Sequence, residues 1–190
     1  MTAGRLIYSL SVSADGYAAA IDGSLDWVTV DEELHAVFNE EGRSAGTSLY
    51  GRRMYELMSA YWPTAEDDPN ATPMMVEFAR IWRATPRVVF SRTLEAVAHG
   101  SRLVRNDAVG EVTRLKAQGL DMDVGGPTLA GSLLRAGLVD EVRAYVNPVL
   151  LGGGLPFFPP LDRPVPLRLL ETRTFRSGVV LLRYEVADQV

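Results

Sequence analysis

The chain has 190 residues, 47% of them hydrophobic, and a net charge of −5. Those are the proportions of a globular chain with a core of its own, and they lack the basic surplus expected of a nucleic-acid partner. Cysteine is absent and His35 and His99 stand far apart, which excludes disulfides, thiolate nucleophiles and cysteine metal sites and leaves no metal pair.

Arg5 to Val12 (RLIYSLSV) alternates large apolar residues with Tyr and Ser and reads as a strand. The following SADGYAAAIDGSLDW carries two Asp-Gly pairs and reads as loop. In DEELHAVFNEE, opening at Asp31, Leu34, Val37 and Phe38 share one helical face, with acids in the first turn. TSLYG is a short strand. RRMYELMSAYW is a helix with Met54, Leu57 and Met58 on one side. PTAEDDPNATP is a polar loop before a helix, MMVEFARIWRA. RVVFS and SRLVR are strands, and AVGEVTRLKAQ is a helix that turns Val109, Val112 and Leu115 inward.

LDMDVG reads as a strand weakened by its polar residues, and TLAGSLLRAG as a helix closing at Gly137. VDEVRAYVNPVLLG is a strand and GGGLPFFPPLDRPVP a long loop. LRLLETRTF and VVLLRYEV, joined by RSG, form a closing hairpin. Strands alternate with helices for most of the chain. The fold class is therefore α/β, one domain over 1–190, with a mostly parallel sheet and an antiparallel end. No stretch is long and apolar enough for a signal peptide or a membrane span, so a cytoplasmic protein with no membrane partner is expected.

Three strand-to-helix junctions stand out: Tyr50-Gly51-Arg52-Arg53, Phe90-Ser91-Arg92-Thr93 and Val124-Gly125-Gly126-Pro127-Thr128. Ligands of open α/β sheets lie beyond the carboxyl ends of the strands, and helix N-termini suit phosphate. Taken singly, each junction reads as an ordinary turn. Arg52 and Arg53 tip the balance, because a cation at a helix N-terminus is locally unfavourable and a bound anion removes the conflict. Together the junctions suit a molecule with several phosphates. No P-loop and no Rossmann glycine fingerprint is present.

The order of segments resembles the dihydrofolate reductase-like superfamily, in particular the reductase domain of the bifunctional riboflavin-biosynthesis deaminase-reductase. The motifs that carry the likeness are Ser13-x-Asp15-Gly16, a loop ending in Trp27, Gly51-Arg52, Ser91-Arg92, Gly125-Gly126 and the run AGLVDEVRAYVNPVLLGGG. The resemblance implies a twisted sheet of about eight strands with helices on both faces, and NADPH along its carboxyl edge. By that likeness Gly51, Arg52 and Arg53 hold phosphate, and Ser91 and Arg92 lie by the adenosine 2′-phosphate. Gly125, Gly126, Thr128 and Leu129 pack on the pyrophosphate and ribose. The likeness to dihydrofolate reductases also implies a cis Gly125–Gly126 peptide bond.

Two departures are visible. The lysine usual in the riboflavin-type reductase is Ser9 here, and Ala14 replaces the leucine of its S-L-D-G motif. The expected activity is hydride transfer from NADPH to a small, flat, pterin-like or pyrimidine-like heterocycle. The alternatives are a cofactor-binding protein without catalysis and a flavin-binding oxidoreductase. Asp15, Asp26 and Glu33 are the candidate proton sources, though Asp31, Glu32 and Glu33 also suit the helix dipole, and for Asp31 that is the better reading. Ser9, Trp27 and Asn147 are candidate substrate contacts. Paired leucines and valines in the closing hairpin point to a homodimer.

Overall fold

Alternation along the first strand decides which way the sheet faces. In the computed structural model, which describes residues 3–187, β1 (Leu6–Ser13) buries Leu6, Tyr8 and Val12 on one side and turns Ser9 and Ser11 to the other. The chain continues through β2 (Tyr17–Ala19), α1 (Glu32–Ser44), β3 (Thr47–Gly51), α2 (Arg52–Tyr61), α3 (Pro73–Ala84), β4 (Arg87–Phe90) and β5 (Ser101–Val104). It then forms α4 (Ala108–Ala117), β6 (Met122–Gly125), α5 (Pro127–Arg135), β7 (Glu141–Asn147), β8 (Leu155–Pro156), β9 (Leu167–Thr174) and β10 (Val180–Val186).

Eight strands make one sheet in the order β5-β4-β3-β6-β1-β7-β10-β9. The first six are parallel, and β10 runs antiparallel to both β7 and β9. Parallel neighbours need crossovers, and the helices supply them. On the lower face Val112 and Leu115 of α4 and Leu129, Ala130, Leu133 and Leu134 of α5 pack on Leu6, Tyr8, Leu49, Met122 and Val124. On the upper face Leu34, Val37 and Phe38 of α1 pack on Tyr145 and Leu181, while Met54, Tyr55 and Met58 of α2 pack on Tyr50 and Val89.

The upper face is polar at its centre, which is unusual for a sheet covered on both sides. Register places Ile7, Asp123 and Ser48 side by side, and Ser9 lies two residues along β1. Beyond them Glu141, fully buried, accepts from Arg5 Nη2 at 2.9 Å, Arg143 Nε at 2.6 Å and Arg183 Nη2 at 3.1 Å. Burial opposes its charge, but the hydrogen bonds from Arg183 and Arg143 outweigh burial and hold the carboxyl below its ordinary range. Arg143 also reaches Glu41 of α1 at 2.9 Å, tying the helix to the sheet.

The structure alters several details of the sequence reading. Two segments read as loop pair with each other, β2 with β8, in a small antiparallel sheet. The strand read through Gly152 stops at Asn147, because Pro148 has no N–H to continue the ladder. Val109, read as inward, and Leu57, read on one helical face with Met54 and Met58, are exposed. The hairpin of β9 and β10 forms, and all eight residues of β9, the outer strand, are exposed.

Candidate active site

Two cavities open at the carboxyl edge of the sheet and meet at Gly126 and Pro127. The shallower, of about 460 Å³, is lined by Gly51, Arg52, Arg53, Ser91, Arg92, Gly126, Thr128 and Leu129. Eight of the nine expected cofactor residues therefore come together, from three different junctions. Gly51 caps α2 and Gly126 caps α5, and neither helix has a side chain bonded to its first N–H groups. Both N-termini thus keep free donors and a partial positive charge at one cleft. Arg105, Asn106 and Ser132 complete the lining; Arg105 follows a short strand and carried no glycine to mark it.

Some of these side chains also have local duties. Arg52 pairs with Glu56 at 3.4 Å across one helical turn, an exposed pair of little energetic weight. Ser91 accepts from the backbone N–H groups of Thr93 and Leu94 at 3.2 and 3.1 Å and shapes its own turn.

The Gly125–Gly126 junction corrects one expectation: no peptide bond among the described residues is cis. Instead Gly126 turns the chain with φ of +103°, a conformation open to glycine at little cost. Gly125 is needed for space, since a methyl group there would meet Met54 Cγ at 3.0 Å. Gly125 borders the deeper cavity rather than the shallow one.

That deeper cavity encloses about 1390 Å³. Its walls are apolar, with Phe38, Met54, Met58, Phe78, Ile81 and Trp82. The segment from Ala18 to Asp26 forms its rim and carries Asp26. Its floor is polar: Ser9, Glu41, Ser48 and Asp123. Ser9 Oγ donates to Glu41 Oε2 at 2.9 Å, while Glu41 Oε1 accepts from Arg143 and from the Tyr145 hydroxyl.

Asp123 is different. Its Oδ1 accepts from Ser48 Oγ at 2.7 Å, and no cation pairs with it among the described residues. The carboxyl keeps one face toward the cleft but is otherwise encased by protein. Burial first, and Glu41 in addition, push it up to about 6 against the opposing Ser48 bond. Ionisable groups displaced in this way concentrate at functional clefts. In the sequence its only trace was the polar character that weakened LDMDVG as a strand.

Other expected residues lie elsewhere. Asp15 accepts from Ser13 Oγ at 2.6 Å and from the N–H of Gly152 at 2.7 Å, bracing two loops; those bonds hold it below the ordinary carboxylate range despite some burial. Glu33 pairs with Arg173 of the hairpin at 2.7 Å, and that bond, followed by the Arg176 N–H, lowers it. Asp31 caps α1 through the Leu34 N–H at 2.8 Å, as its position suggested. Asn147 is buried and bonds Thr29 N–H and the Tyr145 carbonyl. Trp27 ties its indole N–H to the Ser24 carbonyl at 3.1 Å. None of these five lines either cavity; Ser9 and Asp26 do.

The family model described as the RibD C-terminal domain matches residues 5–181. The chain belongs to the RibD C-terminal domain family. It is 32% identical over 182 residues to the uncharacterized protein YyaP of Bacillus subtilis, covering 95% of this chain and 94% of that protein. Among solved structures it superposes on the Thermotoga maritima diaminohydroxyphosphoribosylaminopyrimidine deaminase/5-amino-6-(5-phosphoribosylamino)uracil reductase with a TM-score of 0.67 and 16% identity, over 97% of this chain and 57% of that one. It also superposes on dihydrofolate reductase from Enterococcus faecalis complexed with NADP(H), with a TM-score of 0.65 and 16% identity, over 98% and 99% of the two chains. These likenesses establish the dihydrofolate reductase-like fold expected from the motif order.

An acid raised from 3.8 to about 6 binds more protons in the folded than in the unfolded chain between those values. Its contribution to stability therefore falls as pH rises through that window, and the full deficit, up to about 3 kcal/mol, applies at neutral pH. Asp123→Asn keeps the acceptor for Ser48 and removes the buried charge. It should raise the thermal midpoint by roughly 2–6 °C at pH 7.5 and lose that advantage near pH 3.5. Melting curves at the two pH values test this; equal destabilisation at both contradicts it.

Proposed function

We propose that the protein is an NADPH-dependent reductase that delivers hydride to a small, flat nitrogen heterocycle, pterin-like or pyrimidine-like. The observation that carries this reading is the junction of two unlike cavities across Gly126: one basic and ringed by helix N-termini, the other apolar with an acidic floor. Membership of the RibD C-terminal domain family and the fold shared with reductases support it.

The residues present fit a dinucleotide phosphate. The free N–H groups of α2 and α5 would receive pyrophosphate oxygens, and Gly126 leaves the backbone bare beside them. Arg52, Arg53 and Arg92 add permanent charge, with a forked guanidinium suited to a 2′-phosphate. When bound, the cofactor supplies the hydride. The chain's own work is to orient the acceptor ring against the junction, to exclude water with the apolar walls, and to hold a proton on the cleft floor. Ser9 remains a candidate contact for that ring, and Asp26, on the rim, a candidate proton source.

A charge-assisted hydrogen bond to phosphate contributes roughly 1.5–3 kcal/mol. NADPH should therefore bind at least about tenfold more tightly than NADH, and Arg92→Ala should narrow the difference. Fluorescence titration of both nucleotides measures it, and equal affinities for wild-type protein would remove the 2′-phosphate assignment.

We also propose a homodimer paired along β9. Its eight exposed residues include Leu169 at 53% exposure and leave an unpaired backbone edge. Two such edges related by a two-fold axis satisfy each other. Light scattering at micromolar concentration should give twice the 20.8 kDa chain mass, and a monomer mass would refute the pairing.

A further inference from the structure

Five carboxylates line the deep cleft, Asp22, Asp26, Glu41, Glu56 and Asp123, against one arginine, Arg53. Arg53 stands at the border, where it also lines the phosphate cleft. Glu41 is neutralised from behind by Arg143, yet the balance remains acidic. A phosphorylated ring would bring two negative charges into this field with no cation at the floor to meet them. The deep cleft therefore discriminates by charge as well as by shape.

We propose that Asp123 is the proton donor of this cleft, and that the ring it serves is uncharged, free of phosphate and reducible at a C=N bond. The proposal rests on the reductase reading above and narrows it to one residue and one substrate class. Asp123 lies two residues before the Gly125–Gly126 turn, so its carboxyl faces the same cleft as the junction with the cofactor cavity. Ser48 engages Oδ1, and Oδ2 has no partner among the described residues. The other acids are committed or remote. Asp15 and Glu33 brace loops outside both cavities, Asp22 and Asp26 sit on the rim, and Glu41 is held by Arg143, Tyr145 and Ser9.

The groups facing Asp123 agree with a carboxyl that keeps its proton into the weakly acidic range. From α1 comes Glu41, whose negative charge raises it, and from β3 come Ser48 and Tyr50. Tyr50 is itself pushed above the ordinary phenol range by burial, then by Asp123, and so stays neutral. The part of α2 that lines the cleft carries Arg53 and Glu56, and the part of α3 that lines it carries Phe78, Ile81 and Trp82, with no charge. The neighbouring floor residue of β1 is Ser9.

The balance of the step is simple. The hydride pair that a reduced nicotinamide would supply when bound would go to the ring carbon as the C=N π bond opens, leaving the nicotinamide oxidised, and the nitrogen would take its proton from the Asp123 O–H. Asp123 is left as a carboxylate hydrogen-bonded to Ser48 and regains a proton from water along the cleft.

The test uses the full chain saturated with NADPH, so that the phosphate cleft is filled. Cytosine serves as an uncharged ring with a proton-accepting nitrogen, and cytidine and cytidine 5′-monophosphate as a pair differing only in phosphate. Calorimetric titrations run from pH 5.5 to 7.5 on wild type, Asp123→Asn and Ser48→Ala. Cytosine affinity in wild type should fall about tenfold across that range as the carboxyl loses its proton. Asp123→Asn should abolish the dependence. Ser48→Ala should move it to higher pH, because the lost hydrogen bond favoured the carboxylate. Cytidine 5′-monophosphate should bind at least about tenfold more weakly than cytidine. A wild-type pH profile retained by Asp123→Asn overturns the proton donor. Equal binding of the phosphorylated and unphosphorylated nucleosides, or no cytosine binding at all, overturns the substrate class. Failure of NADPH itself to bind brings down the reductase reading instead.

Discussion

Four residues of β6 set the geometry of both cavities. A strand held between two parallel neighbours must alternate its side chains between the faces of the sheet. Met122 and Val124 go into the lower core, fully buried. Asp123 and Gly125 consequently go up, into the cleft. The same strand ends where Gly126 opens α5, so one short element places the acid, the bare backbone and a free helix N-terminus within a few residues. A shift of register by one would put the carboxyl among Leu6, Leu49 and Leu133, and the pairing with β1 and β3 on both sides prevents it.

Two carboxylates on the upper face illustrate how surroundings decide the fate of a buried acid. Glu141 meets three arginines and stays charged as a structural clamp that ties Arg5, just before β1, to β7 and β10. Asp123, three strands away from β10 in the sheet order, meets one serine and another acid. The first arrangement contributes to a fixed core, although such pairs gain little over apolar packing. The second leaves a carboxyl without a cation to meet it, and groups of that kind persist where a site uses them.

Much of this was legible in the sequence because periodicity and turn chemistry are local. Strand alternation in RLIYSLSV, the helix faces and the junction glycines needed no partner to be read. The resemblance supplied the order of segments that ties the three junctions to one edge. Contacts between distant segments were not legible. Nothing near Asp15 or Glu33 announces that Gly152 or Arg173 will occupy them, more than a hundred residues later in the chain. The role of Asp123 depends on Ser48 and Glu41, which arrive from β3 and α1. Its one local sign, an aspartate inside a central strand, read as a defect in the strand rather than as a feature of a cleft. The trans Gly125–Gly126 peptide and the positive φ of Gly126 are likewise visible only in the folded turn.

The proposed function requires the two cavities to be one site, divided between cofactor and ring at Gly126. A crystal structure of the protein grown with NADPH tests it most directly. The pyrophosphate should lie against the N-terminus of α5, the 2′-phosphate among Arg52, Arg53 and Arg92, and the nicotinamide at Gly126 facing the cleft that holds Asp123. Density for the nucleotide anywhere else on the molecule, or a nicotinamide turned away from the deep cleft, would contradict it.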